Sequence, residues 1–337
     1  MASIESKDRV GKKVFVTGAT GLLGSHLISK LIKDGHNVSA LYRSAIPITK
    51  SSDKANWVKG DILDIIFLEE ALAGFDEIYH CAAIVSFNPS DKEEMFLINV
   101  NGTANMVNAA LSVGASRFCY VSSVAALGEG VNNGTINELI DYNTQKFTSH
   151  YSLSKFLAEK EVWRAIGEGL NAVIINPSII LGAGNWTKGS SAIFKSAYES
   201  FPWYAEGVTG FVDVNDVVKA MTMLMEYNIS GERFIVSGEN KSYKEVFTFI
   251  AIVFAKNPPY KKVTRFIASI IWRLEALKFK MTGKEPLVTK ETAYDALAVN
   301  LYESNKLKRQ FPEFLFTPIS ETIKRVCGEL KLIYKLD

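Results

Sequence analysis

VFVTGATGLLGSHLISKLIK, Val14 to Lys33, decides the fold. Val14-Phe15-Val16 is an apolar run of the length of a buried strand. The chain then passes through Gly18, Gly21 and Gly24 into a pattern that places Leu23, Leu27, Ile28, Leu31 and Ile32 on one helical face. Strand, glycine-rich turn and helix form the first half of a dinucleotide-binding βαβ unit. Gly18 permits the tight turn, Gly21 lets a pyrophosphate approach the backbone, and Gly24 lets the helix lie close to the strand. The helix N-terminus supplies free N–H groups and a dipole that favours phosphate. Glycines at such a turn also serve plain turn chemistry, but their place directly behind a strand favours the phosphate reading.

Working outward, Val38 to Leu41 reads as the second strand. It ends in Leu41-Tyr42-Arg43-Ser44, without the acid that would bind a ribose 2′-hydroxyl. An arginine there pairs with a 2′-phosphate, which favours NADP over NAD, although NAD is not excluded; the alternative is a solvated surface arginine. Asp61, after the strand WVK, offers a carboxylate to an adenine amino group. Ala82 and Ala83 end the strand begun at Glu77, and side chains that small either let the strand end meet a ribose or simply pack closely. A long helix is expected from Asp91 to Val113, a strand from Arg117 to Val121, a helix from Tyr151 to Gly167 and a strand from Asn171 to Asn176. Gly128 to Ser149 reads as loop, and Gly210 to Met225 as a helix returning to the main sheet. Such alternation predicts an α/β fold: a Rossmann, doubly wound parallel sheet covered on both faces, with a smaller C-terminal lobe. Residues 1–176 plus 212–237 are assigned to the nucleotide-binding domain, and 177–211 plus 239–337 to the substrate-binding lobe.

The 337 residues carry 38 Lys and Arg against 36 Asp and Glu. That balance argues against a nucleic-acid partner, which needs a basic excess. Cys81, Cys119 and Cys327 are scattered, so neither a disulfide framework nor a metal site is expected, and a reducing, cytoplasmic setting fits. The first residues, MASIESKDRVGKK, show no apolar signal core, and no apolar run reaches membrane-span length.

Tyr151 and Lys155 stand four apart at a helix start, on one face. An ammonium beside a phenol favours the phenolate and so lowers its pKa, fitting the tyrosine to exchange a proton near neutrality. Ser123 ends an earlier strand, where ligands of open α/β sheets bind, and its hydroxyl suits a substrate oxygen.

With these residues the chain resembles the extended short-chain dehydrogenase/reductase family, through TGATGLLG (17–24), GDILD (60–64), HCAA (80–83), NVNGT (99–103), VSS (121–123), YSLSK (151–155) and NPS (176–178). The resemblance implies a catalytic triad of Ser123, Tyr151 and Lys155. It also implies a nicotinamide cofactor held by Gly18, Thr20, Gly21, Leu22, Leu23 and Gly24, with Asp61 and Ile62 at the adenine, Ala82 and Ala83 at the ribose, and Pro177 to Ile180 at the nicotinamide. Tyr151 and Lys155 would touch the cofactor too, and Asn99 would be structural. Ser123 is followed by Val124-Ala125-Ala126, without the acid pair of sugar-nucleotide dehydratases, and NAVIINPSIILGAGNW lacks a diphosphate-binding arginine. The sequence is therefore more similar to the dihydroflavonol reductase and 3β-hydroxysteroid dehydrogenase branches, the latter also through GKEPLVTKETA (283–293). This implies hydride transfer to or from a secondary alcohol or ketone of a small, fairly apolar substrate. The alternatives are an NAD-dependent sugar-nucleotide epimerase of the same fold and a non-catalytic NADP-binding protein. A homodimer through the helices from Asp91 and Tyr151 is implied by the family. Val263 to Met281 combines an apolar stripe with basic residues, and three readings stand: core helix, pocket wall, or a peripheral membrane contact.

Overall fold

The computed structural model describes residues 11–46, 52–128, 135–139, 147, 149–227, 229–282, 286 and 288–336. The first ten residues, most of the 128–149 loop, and 283–285 and 287 of the 283–293 stretch lie outside the described residues.

The chain begins with β1 (Lys13–Thr17), α1 (Leu22–Lys33), β2 (Asn37–Tyr42), β3 (Asn56–Lys59), α2 (Ile65–Leu72) and β4 (Glu77–His80). Then come α3 (Lys92–Phe96), α4 (Gly102–Ser112), β5 (Arg117–Val121), β6 (Thr135–Ile136), α5 (His150–Gly167), β7 (Ala172–Pro177) and β8 (Ile179–Leu181). After these follow α6 (Ala192–Tyr198), β9 (Trp203–Tyr204), β10 (Val208–Asp213), α7 (Val214–Glu226), β11 (Glu232–Val236) and β12 (Glu239–Ser242). The last elements are α8 (Tyr243–Val253), β13 (Lys261–Lys262), α9 (Arg265–Thr282), α10 (Lys290–Asp295), β14 (Leu301–Tyr302), α11 (Asn305–Gln310) and α12 (Ile319–Tyr334).

Seven strands form one parallel sheet in the order β11-β7-β5-β4-β1-β2-β3. The chain runs outward from β1 to β3 and then restarts at β4 on the other side of β1. That reversal opens a crevice at the C-terminal ends of β1 and β4, where open α/β sheets bind ligands. Alternation along β1 shows why both faces are covered. Val14 and Val16 join the core with α1 and α7, while Phe15 joins the core with α2, α4 and α5. Arg117, at the start of β5, is buried and gives hydrogen bonds to the carbonyls of Leu224 (3.0 Å) and Ile229 (2.9 Å), tying the sheet to the end of α7.

Two stretches differ from the sequence expectation. Gly210 to Asp213 is not the start of a helix. It belongs to β10, which pairs parallel with β8 and antiparallel with β12 in a separate three-stranded sheet, and the helix starts only where Asp213 caps it. The reason is at Gly210: a Cβ there would stand 2.3 Å from Ser237 Oγ, so only glycine lets the strand pass. The expected helix from Asp91 to Val113 is broken by a π-helical turn, Leu97–Asn101. The turn carries Asn99, whose amide gives a hydrogen bond to Ile84 O (2.9 Å) and accepts one from Ile84 N (2.7 Å). A helix can release backbone geometry for such a clamp.

A third core gathers β8, β10, α6, α8 and α12 around Phe194, Phe211, Ile250, Phe254 and Val326. It is tied to α7 by an Arg325–Asp213 ion pair (2.7 Å) and by Thr317, whose N–H reaches Asp216 Oδ2 (2.7 Å). Helix α9 packs on α10 but turns Phe266, Ile270, Leu274, Leu277 and Met281 to solvent, so the stripe is not core. Among the described residues no helix is long and apolar enough to cross a membrane.

Candidate active site

The C-terminal ends of β1, β4 and β5 meet in the crevice. Thr17 O accepts from Cys81 N (3.2 Å) and Thr17 Oγ1 from Ala82 N (3.3 Å), which locks the two strand ends side by side. Gly18 turns the chain with φ 65°, and a Cβ on it would lie 2.5 Å from the Cys81 carbonyl carbon. Gly21 precedes α1 without a side-chain cap, and the first turn of α1 holds no acid. A Cβ on Gly21 would meet only Gly18 O, at 3.3 Å. A helix start uncapped by its own side chains, beside an open glycine, fits a pyrophosphate.

The other residues expected to touch cofactor are placed unequally. Thr20 is exposed beside this turn, Ala83 is exposed and Ala82 half-buried at the end of β4. Leu22 packs towards the Gly182–Gly184 loop, where a Cβ on either glycine would be 3.1 Å from its Cδ1. Leu23 is buried in the core, so only its backbone is free to face a ligand. Ile62 is likewise a core residue, stacked on Gly102 of α4. Asp61 Oδ1 accepts from Leu63 N (3.0 Å), leaving its other oxygen for a partner. Arg43 follows β2, is 58 % exposed and lies 3.8 Å from Glu94, a loose surface pair of the kind worth little. Pro177 ends β7, and Ile180 O in β8 accepts from Ser190 Oγ (2.6 Å).

Ser123, Tyr151 and Lys155 come together at the end of β5. Ser123 caps the short 3₁₀ turn Val124–Leu127, its Oγ accepting from Ala125 N (3.1 Å). Ser149 and Ser152 form a capping box that starts α5 one residue before Tyr151 and so sets the direction of its ring. The Ser123 hydroxyl is near enough to draw the pKa of the Tyr151 phenol downward, and the Tyr151 ring meets Phe87 edge-on at 5.8 Å. One turn on, Lys155 is 2 % exposed and gives hydrogen bonds to Tyr120 Oη (2.8 Å) and Val121 O (2.8 Å).

The electrostatics differ from the expectation for the phenol. Burial pushes the Tyr151 hydroxyl above its usual value, against the smaller opposing influence of Ser123. Burial also brings the Lys155 ammonium down to about 7, against the attraction of Glu159. The reason is desolvation, which penalises either charge, together with a lysine whose hydrogen bonds go to the Tyr120 hydroxyl and the Val121 carbonyl.

Residues not singled out from sequence support these three. Asn176 gives hydrogen bonds to Ser123 O (2.9 Å) and to Glu159 Oε2 (2.9 Å). Glu159 also accepts from Ser122 Oγ (2.6 Å) and pairs with buried Arg233 (3.3 Å). Beneath lies buried His80, bonded to Thr17 Oγ1 (2.7 Å) and Thr103 Oγ1 (3.1 Å). The His80 ring stacks on Tyr120 (5.7 Å), whose hydroxyl accepts from Lys155, so Lys155 and the β1 turn are joined through these two rings. Glu159 carried a signal, since it stands four residues past Lys155 on the same helical face. Arg233 carried none, because its contact depends on tertiary packing.

A model of the NAD dependent epimerase/dehydratase family matches residues 14–237. A Synechocystis sp. protein named "Putative dihydroflavonol 4-reductase" is 30% identical over 71% of this chain and 71% of its own length. A 3-beta-hydroxysteroid dehydrogenase of Mycolicibacterium neoaurum is 32% identical over 56% of this chain and 51% of its own. The crystal structure of gox2253 superposes with a TM-score of 0.81 at 28% identity, covering 97% of this chain and 99% of that one.

Proposed function

The chain belongs to the NAD dependent epimerase/dehydratase family and is an NAD(P)-dependent oxidoreductase of the extended short-chain dehydrogenase/reductase type, and from that premise we propose that it uses NADP to interconvert a secondary alcohol and a ketone of a small, fairly apolar substrate. The observation that carries this reading is the convergence of Ser123 at the end of β5 with Tyr151 at the start of α5 on the sheet's ligand edge, with Lys155 buried one helical turn further on.

When bound, the nicotinamide supplies or accepts the hydride. In reduction the Tyr151 hydroxyl gives its proton to the oxygen of the carbonyl as charge develops there. Ser123 Oγ donates a second hydrogen bond to that oxygen, and Asn176 holds the Ser123 backbone in register. Lys155 would hold ribose hydroxyls and, when protonated, would add positive charge one helical turn from the phenol. Gly18, Thr20, Gly21, Gly24 and the backbone of Leu22 and Leu23 would hold the pyrophosphate. Asp61 and Ile62 would border the adenine, Ala82 and Ala83 the ribose, Pro177 and Ile180 the nicotinamide, and Arg43 would read the 2′-phosphate after leaving Glu94. In this reading 1–176 with 212–237 is the cofactor domain, 177–211 with 239–337 recognises substrate, and the enzyme is a cytoplasmic homodimer paired through the helices from Asp91 and Tyr151.

The test is to mix protein with NADPH or NADH and ketones of graded hydrophobicity and follow absorbance of the reduced nicotinamide. Net oxidation that prefers NADPH and apolar ketones is expected. Interconversion of a sugar nucleotide without net oxidation would replace this reading by epimerisation.

A further inference from the structure

Helix α9 displays a feature that hydride transfer does not use. Phe266, Ile270, Leu274, Leu277 and Met281 are all solvent-exposed, Phe266 at 75% and Met281 at 78%. At 3.6 residues per turn they fall within an arc of about 80° and run about 22 Å along one side of the helix. Arg273 borders the stripe on one side and Lys278 on the other, both exposed; Lys278 also pairs with Glu275 (3.3 Å), a surface contact it can leave for a phosphate. Around the stripe the sequence from Tyr260 to Thr282 carries six basic residues and a single acid, Glu275, although the whole chain is nearly balanced. The entrance to α9 is aromatic. Lys261 pairs with Trp203 in the β13–β9 ribbon, and Tyr260 and Phe201 beside it are 72% and 47% exposed.

We propose that this face of α9 docks on an anionic lipid surface, with the apolar stripe sunk into the headgroup boundary and Arg273 and Lys278 reaching lipid phosphates. An apolar arc bordered by cations is what an interfacial helix presents, because long basic side chains keep their charge at the headgroups while the apolar arc is buried. Aromatic rings at one end suit the same boundary. A second copy of the chain fits less well: a two-fold contact along the stripe would set the basic borders of both copies against each other.

Vesicle flotation tests this. The whole protein should float with phosphatidylserine–phosphatidylcholine vesicles and not with phosphatidylcholine alone, and added salt should release it. Phe266→Ser with Leu274→Ser, and separately Arg273→Glu with Lys278→Glu, should each weaken flotation about tenfold or more. Both variants should bind NADPH as the parent does, which separates lost lipid binding from misfolding. The comparison of the two vesicle types needs no variant at all. Failure to bind anionic vesicles, or equal binding to neutral ones, overturns the proposal. A dimer in sedimentation velocity that Phe266→Ser with Leu274→Ser dissolves also overturns it, and gives the stripe to a second copy.

Discussion

Tyr151 is a half-buried residue whose phenol holds its proton more tightly than usual, and that makes it a donor before it is a base. Tyr151→Phe should leave NADPH binding intact, by fluorescence titration, and lower turnover about 10²–10⁴-fold, the scale of general-acid catalysis. Near wild-type turnover on a confirmed substrate would remove the triad. Arg43 has a different task. Arg43→Ala should weaken NADPH binding by about 1.5–3 kcal/mol, as expected for a hydrogen bond to a charged group, and leave NADH nearly unaffected. Equal losses for both would mean that Arg43 reads no phosphate. The placing of Tyr151 and Lys155 on one helix face and of Ser123 at a strand end was legible from spacing and from the glycine turn upstream, whereas their joint role was implied by the family resemblance. Their protonation was not legible: the sequence pattern says that an ammonium stands near a phenol, and only the packing says how much water both have lost.

Helix α5 presents Tyr151, Lys155 and Glu159 along one face, and the third of these steadies the Ser122–Ser123 strand end through Ser122 and Asn176. Glu159→Gln breaks the buried pair with Arg233 and should destabilise the protein by about 3 kcal/mol in urea unfolding. The glycine turn allows a sharper contrast. A Cβ on Gly24 would stand 2.2 Å from Gly18 O, so Gly24→Ala must lift α1 off the turn and should cost about 1–3 kcal/mol of stability, as overpacking does. Gly21→Ala meets only one atom at 3.3 Å. It should keep stability and lose cofactor affinity, because the methyl group fills the space meant for phosphate; unchanged affinity would place the pyrophosphate elsewhere. Strand–helix alternation up to Pro177 was legible because each parallel strand is a short apolar run. Gly210–Asp213 and the π turn were not, because the first is set by packing against Ser237 and Ser178, distant in sequence, and the second by the Ile84 backbone.

At the scale of the molecule, buried bases make the fold sensitive to acid. Burial holds His80 at about 3 against its ordinary 6.5, with Lys155 contributing in the same direction. The unfolded chain therefore takes up the proton first. Stability tied to His80 is complete above about pH 6.5 and is lost as the pH falls towards 3, by about 2 kcal/mol at pH 5. Urea midpoints at pH 7 and pH 5 check this, and His80→Asn should flatten the slope. The exposure of α9 was likewise beyond the sequence, which shows a stripe but not the side on which the rest of the chain sits. One contact also has a meaning for synthesis. Arg117 reaches carbonyls 107 and 112 residues further along the chain. While the ribosome is still making α7, β5 must wait with a guanidinium lacking those two acceptors, and the outermost strand β11 has yet to be translated. A nascent chain stopped near residue 206 should thus be a client for chaperones, and one released past residue 237 should resist protease over its nucleotide-binding half.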